Sequence, residues 1–350
     1  MKQKRIEDFG IRIGKLPRGE QNKITDVPGV LVGHATIRDE RHNTGVTVIR
    51  PCAGNIFRDK LVAASFVHNG FGKTTGTVQI DELGTLETPI ALTNTLNVGA
   101  VSDAVVAWMT EKCAEDGIAL RSVNPVVGEC NDASLNAITD RAVTAEHVFA
   151  ALRTASADFE EGAVGAGAGT TCYGMKGGIG SASRIVTFDG RDYTVGVLVQ
   201  SNYGATADLR LDGTPVEQDL VRWTHEKACD EGSIMVVLAC DVPLTARQLR
   251  RVIRRCSVGI ARCGSYVGHG SGEVFLGFST ANVISPGEGD LCSFSCIRED
   301  RIDRLFRAAG EATEEAILNS MVTAKETAAP DGHIVYSLGD YLEARGIPKN

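Results

Sequence analysis

The chain is poor in aromatic residues: Phe, Trp and Tyr make up 5% of its 350 residues. No uninterrupted apolar run approaches the about 18–20 residues that a membrane helix needs, so no membrane partner is expected. The N-terminus, MKQKRIEDFGIRIGK, is basic but has no apolar core segment. It does not read as a secretory signal, and a cytoplasmic location is expected. Positive charge is not in excess. Lys and Arg number 36 against 44 Asp and Glu, a net charge of −8, which gives no support for a nucleic-acid partner. The one basic cluster, Arg247, Arg250, Arg251, Arg254 and Arg255, has the spacing of a solvated helix face. No fixed-period repeat, low-complexity tract or Pro/Ser linker is visible, and residues 1–350 read as a single domain. Ten cysteines over this length are too sparse for a disulfide scaffold, and reduced thiols are expected. Cys256/Cys263 and Cys292/Cys296 lack zinc-site spacing, and their nearest histidine is the lone His269, so no metal is expected.

Glycine is abundant, at 39 residues. With few aromatics, that composition suits closely approaching backbone layers and many strand-to-turn junctions. Leu61 to Val67, Pro89 to Leu92, Tyr193 to Val199 and Val274 to Phe278 read as strands. Val98, Val101, Val105, Met109 and Cys113 recur at helical spacing, and Gly117 ends that helix. Thr214, Pro215 and Glu217 read as a capping box opening a helix that runs to about Cys229. A second box, Thr245 with Gln248, opens an arginine-bearing helix to near Gly264. A long helix spans roughly Arg301 to Glu326. Helix-rich stretches flanking strand-rich ones predict mixed α/β layers.

The step Gly232-Ser233 stands directly before the apolar run Ile234 to Cys240. A serine at the head of a buried strand, behind a glycine, is the arrangement of a self-cleaving N-terminal nucleophile. Attack of Ser233 on the Gly232 carbonyl would split the chain and give the serine its own α-amine. That amine has an ordinary pKa of about 7.7–8.0 and is one known activator of a hydroxyl nucleophile. The plainer meaning of the dipeptide is a turn entering a strand.

Four other places carry polar groups suited to acyl transfer. Asn202 ends the Tyr193 strand, where its amide can donate to an oxyanion or simply form a turn. Ser271-Gly272-Glu273 precedes the Val274 strand, and its serine and carboxylate can polarise another serine. The stretch Pro125 to Asp132 ends a strand-like run with a carboxylate, Glu129, which can hold a substrate ammonium if it lines a pocket, or stand as an exposed strand-end acid. His269, between glycines, reads as a loop residue. Gly165, Gly167 and Gly169, in a glycine-rich stretch from Glu161 to Ser183, superficially suggest a dinucleotide fingerprint. The flanking strand and helix are missing, and Lys176 is followed by Gly177 rather than Ser or Thr, so no nucleotide cofactor is expected.

Taken in order, PVVGE, GAGAGTTCYGMKGGIGSAS, SNYG, GSIMVV and HGSGEVFLGFSTAN resemble the L-aminopeptidase D-amidase/D-esterase family, which includes the β-peptidyl aminopeptidases. DVPGVLVGHATI, GNIFRDKLVAASFVHNGFGKTTG and TPIALTNTLNVGAVSDA resemble it too. The resemblance runs from about Ile24 to Asn282. It implies a four-layer αββα sandwich, like that of N-terminal nucleophile hydrolases but with different strand connectivity. It implies a precursor that cuts itself between Gly232 and Ser233 into an α chain (1–232) and a β chain (233–350), assembling as a tetramer of processed protomers. By the same resemblance Ser233 is the nucleophile, Ser271 and Glu273 assist it, Asn202 is the oxyanion-hole amide and Glu129 recognises the free amine of a small peptide or aminoacyl-amide substrate. No metal or organic cofactor is implied. Some members carry Tyr where this chain has Asn131, which leaves the substrate contact there open. Two other readings compete: acyl transfer of the ornithine acetyltransferase kind, whose nucleophile is Thr, and an unprocessed, non-catalytic binding protein of the same fold.

Overall fold

A computed structural model describes residues 3–216, 220, 223–224, 227–287 and 289–345. Two sheets form its centre. The smaller has the order β1-β2-β5-β6, built from β1 (Leu31–Arg38), β2 (Asn43–Arg50), β5 (Ile90–Asn94) and β6 (Val126–Cys130). The larger has the order β4-β3-β14-β13-β10-β9. Its strands are β3 (Lys60–Gly70), β4 (Thr85–Leu86), β9 (Gly178–Phe188), β10 (Arg191–Asn202), β13 (Gly232–Cys240) and β14 (Ser271–Ile284). Short hairpins interrupt the long strands: β7 (Thr171–Cys172) with β8 (Met175–Lys176), β11 (Arg210–Leu211) with β12 (Thr214–Pro215), and β15 (Thr327–Ala328) with β16 (Ile334–Val335).

Strand alternation defines the layers. On β13, Met235, Val237 and Ala239 join one apolar cluster with Val46 and Val48 of β2 and Leu92 of β5, so the two sheets pack face to face. The same cluster continues to Val101, Val105 and Met109 of α2 (Val98–Glu115) and to Val148 and Leu152 of α3 (Ala145–Thr154). Ile234, Val236 and Leu238 of β13 point the other way. They pack with α4 (Ala246–Ile253), α5 (Cys256–Arg262) and α6 (Asp303–Val322). The layer order is therefore helix, sheet, sheet, helix, as the sequence resemblance implies. Helix α1 (Thr77–Leu83) packs beside β3, and α7 (Leu338–Arg345) on α6.

The glycine content has its expected use where layers touch. A Cβ on Gly180 of β9 would lie 2.0 Å from the Ala316 carbonyl oxygen of α6, and one on Gly259 of α5 would lie 2.6 Å from the Glu314 nitrogen. Arg184 of β9, fully buried, reaches Glu315 of α6 at 2.6 Å and Glu311 at 3.3 Å. That pairing satisfies a charge that would otherwise be costly to bury.

Two expected helices differ. Thr214 and Pro215 do not open a helix; they pair antiparallel with Leu211 and Arg210. The cause is the intervening Asp212-Gly213, both with positive φ (48° and 80°), the backbone of a two-residue hairpin turn. Glu217 lies outside the described residues, and 227–231 are irregular, so Ser233 follows a loop. The arginine-bearing helix starts with the expected Thr245–Gln248 box but divides into α4 and α5. The break lets α4 face β3 and β14 while α5 turns onto α6. Arg247 and Arg251 of α4 meet Glu299 on the surface.

Gly180→Ala is expected to destabilise the protein by about 1–3 kcal/mol through overpacking, read as a lower urea midpoint. A wild-type midpoint would mean that β9 and α6 separate without cost.

Candidate active site

The site forms where β13 lies between an antiparallel neighbour, β10, and a parallel one, β14. Ser233 pairs with Asn202 on one side and with Gly272 on the other. Ser233 is 4% exposed, and alternation places it on the inter-sheet side with Met235. The opposite sheet comes close there: the Cys130 thiol of β6 donates to the Ser233 carbonyl at 3.5 Å.

Asn202 is oriented by the backbone. Its Oδ1 accepts the Thr171 N–H at 3.0 Å. An N–H only donates, so this contact fixes which end of the amide is oxygen and leaves Nδ2 as a donor. Thr171 is held in turn by a buried lysine. Lys176 Nζ donates to the carbonyls of Gly167, Thr170 and Gly177 at 2.9, 2.7 and 2.8 Å, and burial pushes its pKa well down. The glycine-rich stretch is thus packed backbone: a Cβ on Gly169 would meet the Asn43 carbonyl oxygen at 2.1 Å.

Glu129 is the penultimate residue of β6 and is 3% exposed, not the exposed strand-end acid of the plainer reading. Its Oε1 accepts the Lys73 N–H at 2.9 Å and its Oε2 accepts the Thr95 hydroxyl. The loop carrying Lys73 bridges to the serine strand pair, because the Phe71 carbonyl oxygen would lie 2.3 Å from a Cβ on Gly272. Asn131, two residues on, is exposed and closes its own turn, accepting the Ala133 N–H at 2.9 Å.

Ser271 and Glu273 are fully buried, and the Ser271 hydroxyl donates to Glu273 Oε1. Ser271 pairs with Gly232, and Glu273 with Ile234, which faces the helices. Alternation therefore turns both side chains to the helix-facing side of the sheet, the face opposite the Ser233 side chain. Among the described residues Glu273 Oε2 has no hydrogen-bond partner. Burial, then the nearby Asp230 charge, pushes the Glu273 pKa up to about 7 against the Ser271 hydrogen bond. His269 is an exposed loop residue.

A cavity of about 350 Å³ opens over this junction, lined by Asn131, Thr171, Asn202, Gly232 and His333 among others. Lys227 and Glu231, from the segment leading into Ser233, complete part of its wall. A larger cleft of about 970 Å³, between residues 12–15 and helices α5 and α6, contains none of the candidate residues. Among the described residues no group of three or more His, Cys, Asp and Glu is placed to hold a metal ion. No helix among them is long and apolar enough to cross a membrane. The sequence does not mark Thr95, Lys73 or Thr171, and it offers Lys176 only as the lysine of a rejected phosphate loop. Lys73, Thr171 and Lys176 act through a backbone group or on one, and Thr95 acts through a hydroxyl on a distant carboxylate, so no residue-type pattern marks them.

If Glu273 titrates near 7 in the fold and at 4.5 unfolded, the folded state holds its proton more tightly. The resulting stability is fully present below pH 4.5 and is lost as pH rises through 7, at up to about 1.4 kcal/mol per pH unit. Glu273→Gln removes that slope. In a Ser233→Ala background, its stability relative to the Glu form is expected to rise from pH 5 to pH 7 in urea unfolding. A gap independent of pH would show that Glu273 titrates normally.

The chain is 38% identical to the β-peptidyl aminopeptidase BapA of Sphingosinicella microcystinivorans, over 99% of this chain and 92% of that one. A Burkholderia sp. β-aminopeptidase structure superposes with a TM-score of 0.90 at 41% identity, covering 99% of this chain and 100% of that one. The L-aminopeptidase D-Ala-esterase/amidase of Ochrobactrum anthropi, described as a variant of the Ntn hydrolase fold, does so with a TM-score of 0.90 at 35% identity, covering 98% and 99%. Residues 22–335 match the model of peptidase family S58, and the chain belongs to that family.

Proposed function

We propose that this protein is a self-processing serine aminopeptidase and amidase that removes N-terminal residues from short peptides, amides or esters. The observation that carries the reading is the register of β13. It sets Ser233 against the Asn202 amide donor and beside the Ser271–Glu273 pair, with the buried Glu129 on the facing sheet.

In maturation, Ser233 Oγ attacks the Gly232 carbonyl carbon. The bond from that carbon to the Ser233 nitrogen breaks, and the hydroxyl proton ends on the nitrogen. Water then hydrolyses the Gly232 ester, leaving a Gly232 carboxylate, a free Ser233 hydroxyl and a new α-amine. The Ser271–Glu273 pair, which stands beside Gly232 and Ile234 across the strand pairing, is the candidate proton relay. In turnover the α-amine takes the hydroxyl proton as Oγ attacks the substrate acyl carbon. Asn202 Nδ2 donates to the developing oxyanion. The proton passes to the leaving amine, and water releases the acyl group. Glu129 pairs with the substrate ammonium. A blocked N-terminus leaves this carboxylate buried without a counter-charge, which disfavours binding. An acyl transfer of the acetyltransferase kind has no observation in its favour, since the residue in place is Ser233 rather than Thr.

The wild-type protein is expected to give two bands on a denaturing gel, with N-terminal sequencing of one starting at Ser233, and Ser233→Ala one band. An intact, inactive wild type sinks the reading. Asn202→Ala is expected to cut kcat on an aminoacyl p-nitroanilide about 100–1,000-fold. Glu129→Gln is expected to raise KM for free-amine substrates and to narrow the preference over their N-acetyl forms; an unchanged preference removes Glu129 from amine recognition.

A further inference from the structure

The segment entering Ser233 is tied down by one buried acid that the proposed chemistry does not use. Asp230 is 1% exposed. Its Oδ1 accepts the Gly204 N–H at 3.0 Å. Its Oδ2 accepts the Ser265 hydroxyl at 2.5 Å and the N–H groups of Tyr266 and Val267, both at 3.1 Å. Its own N–H donates to the Tyr266 hydroxyl at 3.0 Å.

The residues gathered by this carboxylate stand close in sequence to the three reacting positions. Gly204 lies two after Asn202, Val267 lies four before Ser271, and Asp230 itself lies two before Gly232. The loop is built at a cost. Val267, β-branched, has φ +59°, a left-handed conformation that such residues rarely adopt. In that conformation consecutive N–H groups converge on one carboxylate oxygen. Gly268 allows the approach, since a Cβ there would lie 2.0 Å from the Asp230 carbonyl oxygen. Downstream, Gly232 has φ +118°, and a Cβ on it would lie 1.9 Å from the Asn202 carbonyl oxygen. Its N–H reaches the Gly270 carbonyl at 3.3 Å. Gly232 is thus pressed onto the strand end that bears Asn202.

We propose that Asp230 is the positioning residue for the chain's own cleavage, holding the Gly232 carbonyl against Ser233 and Asn202 by fastening the entering segment to the loops that flank Asn202 and Ser271. The proposal rests on the reading of Ser233 as a self-cleaving nucleophile.

Asp230 also bears on the relay through its charge, which raises the Glu273 pKa. Ser271, on the same strand, hydrogen-bonds to Glu273, and the residues paired beside it, Ile234 of β13 and Asn69 of β3, do not titrate. Removing the Asp230 charge therefore shifts Glu273 downward, whereas a general loss of packing would slow cleavage without moving its pH dependence.

The test follows cleavage of freshly translated full-length chain on denaturing gels from pH 5 to pH 9. Wild type is compared with Ser233→Ala, Asp230→Asn and Ser265→Ala. Asp230→Asn is expected to cut at least tenfold more slowly, with the midpoint of its pH–rate curve moved to lower pH. Ser265→Ala, which removes a single donor and leaves the carboxylate, is expected to slow cleavage about threefold, and it stands in if Asp230→Asn does not fold. Cleavage of Asp230→Asn at the wild-type rate, or slowed with an unmoved midpoint, overturns the role of Asp230 while leaving the nucleophile reading intact. With Ser265→Ala as the stand-in, a wild-type rate overturns it. A wild type that stays uncut overturns both.

Discussion

The site depends on one strand pairing, the parallel register of β13 with β14. The rest of the larger sheet is antiparallel. A parallel neighbour sets the starts of two strands side by side, so Gly232–Ser233 lies alongside Ser271–Gly272 although they are distant in sequence, with the two serine side chains on opposite faces of the sheet. The antiparallel partner on the other side contributes a strand end, Asn202, to the same point. Because side chains alternate with a period of two, a slip of one residue would turn Ser233 toward the helices and Ile234 toward the smaller sheet. The apolar clusters on both sides of β13 prevent that slip. The core that stabilises the fold and the placement of the reactive groups are the same interaction.

The two buried acids are treated differently by their surroundings. Glu129 has a donor on each oxygen, from the Lys73 backbone and the Thr95 hydroxyl. Glu273 has the Ser271 hydroxyl on one oxygen, and its other oxygen has no partner among the described residues. Satisfying both oxygens suits a group that holds a cation. Leaving one oxygen dry raises a carboxyl toward neutrality, as suits a group that exchanges a proton. Both arrangements rest on the same device, burial behind strand ends, tuned by how many donors are provided.

The sequence was most legible where pattern and packing agree. Apolar runs such as Ile234 to Cys240 are buried on both faces, and the Thr245–Gln248 box caps a real helix start. It was misleading at Thr214-Pro215-Val216-Glu217. A helix-start pattern stands directly behind Asp212-Gly213, and the hairpin turn prevails for Thr214 and Pro215 because positive φ at both turn residues pairs them with the preceding strand. Asp230 illustrates what no pattern displays. By type and position it is one residue of the turn Asp230-Glu231-Gly232 into the Ser233 strand, and its meaning comes from four donors brought from residues 204 and 265–267.

By itself the sequence determined the layered α/β class and the family resemblance, and it offered Ser233, Asn202, Ser271, Glu273 and Glu129 as candidates, because residue type, order and local apolar pattern are all properties of the chain. Only the tertiary structure decided the rest. It turned the Asn202 amide through the Thr171 N–H. It set the Ser271–Glu273 pair on the sheet face opposite the Ser233 side chain, and it raised Glu273 by burial. Each of these follows from contacts between strands and loops far apart in sequence, and orientation and desolvation exist only once those contacts have formed.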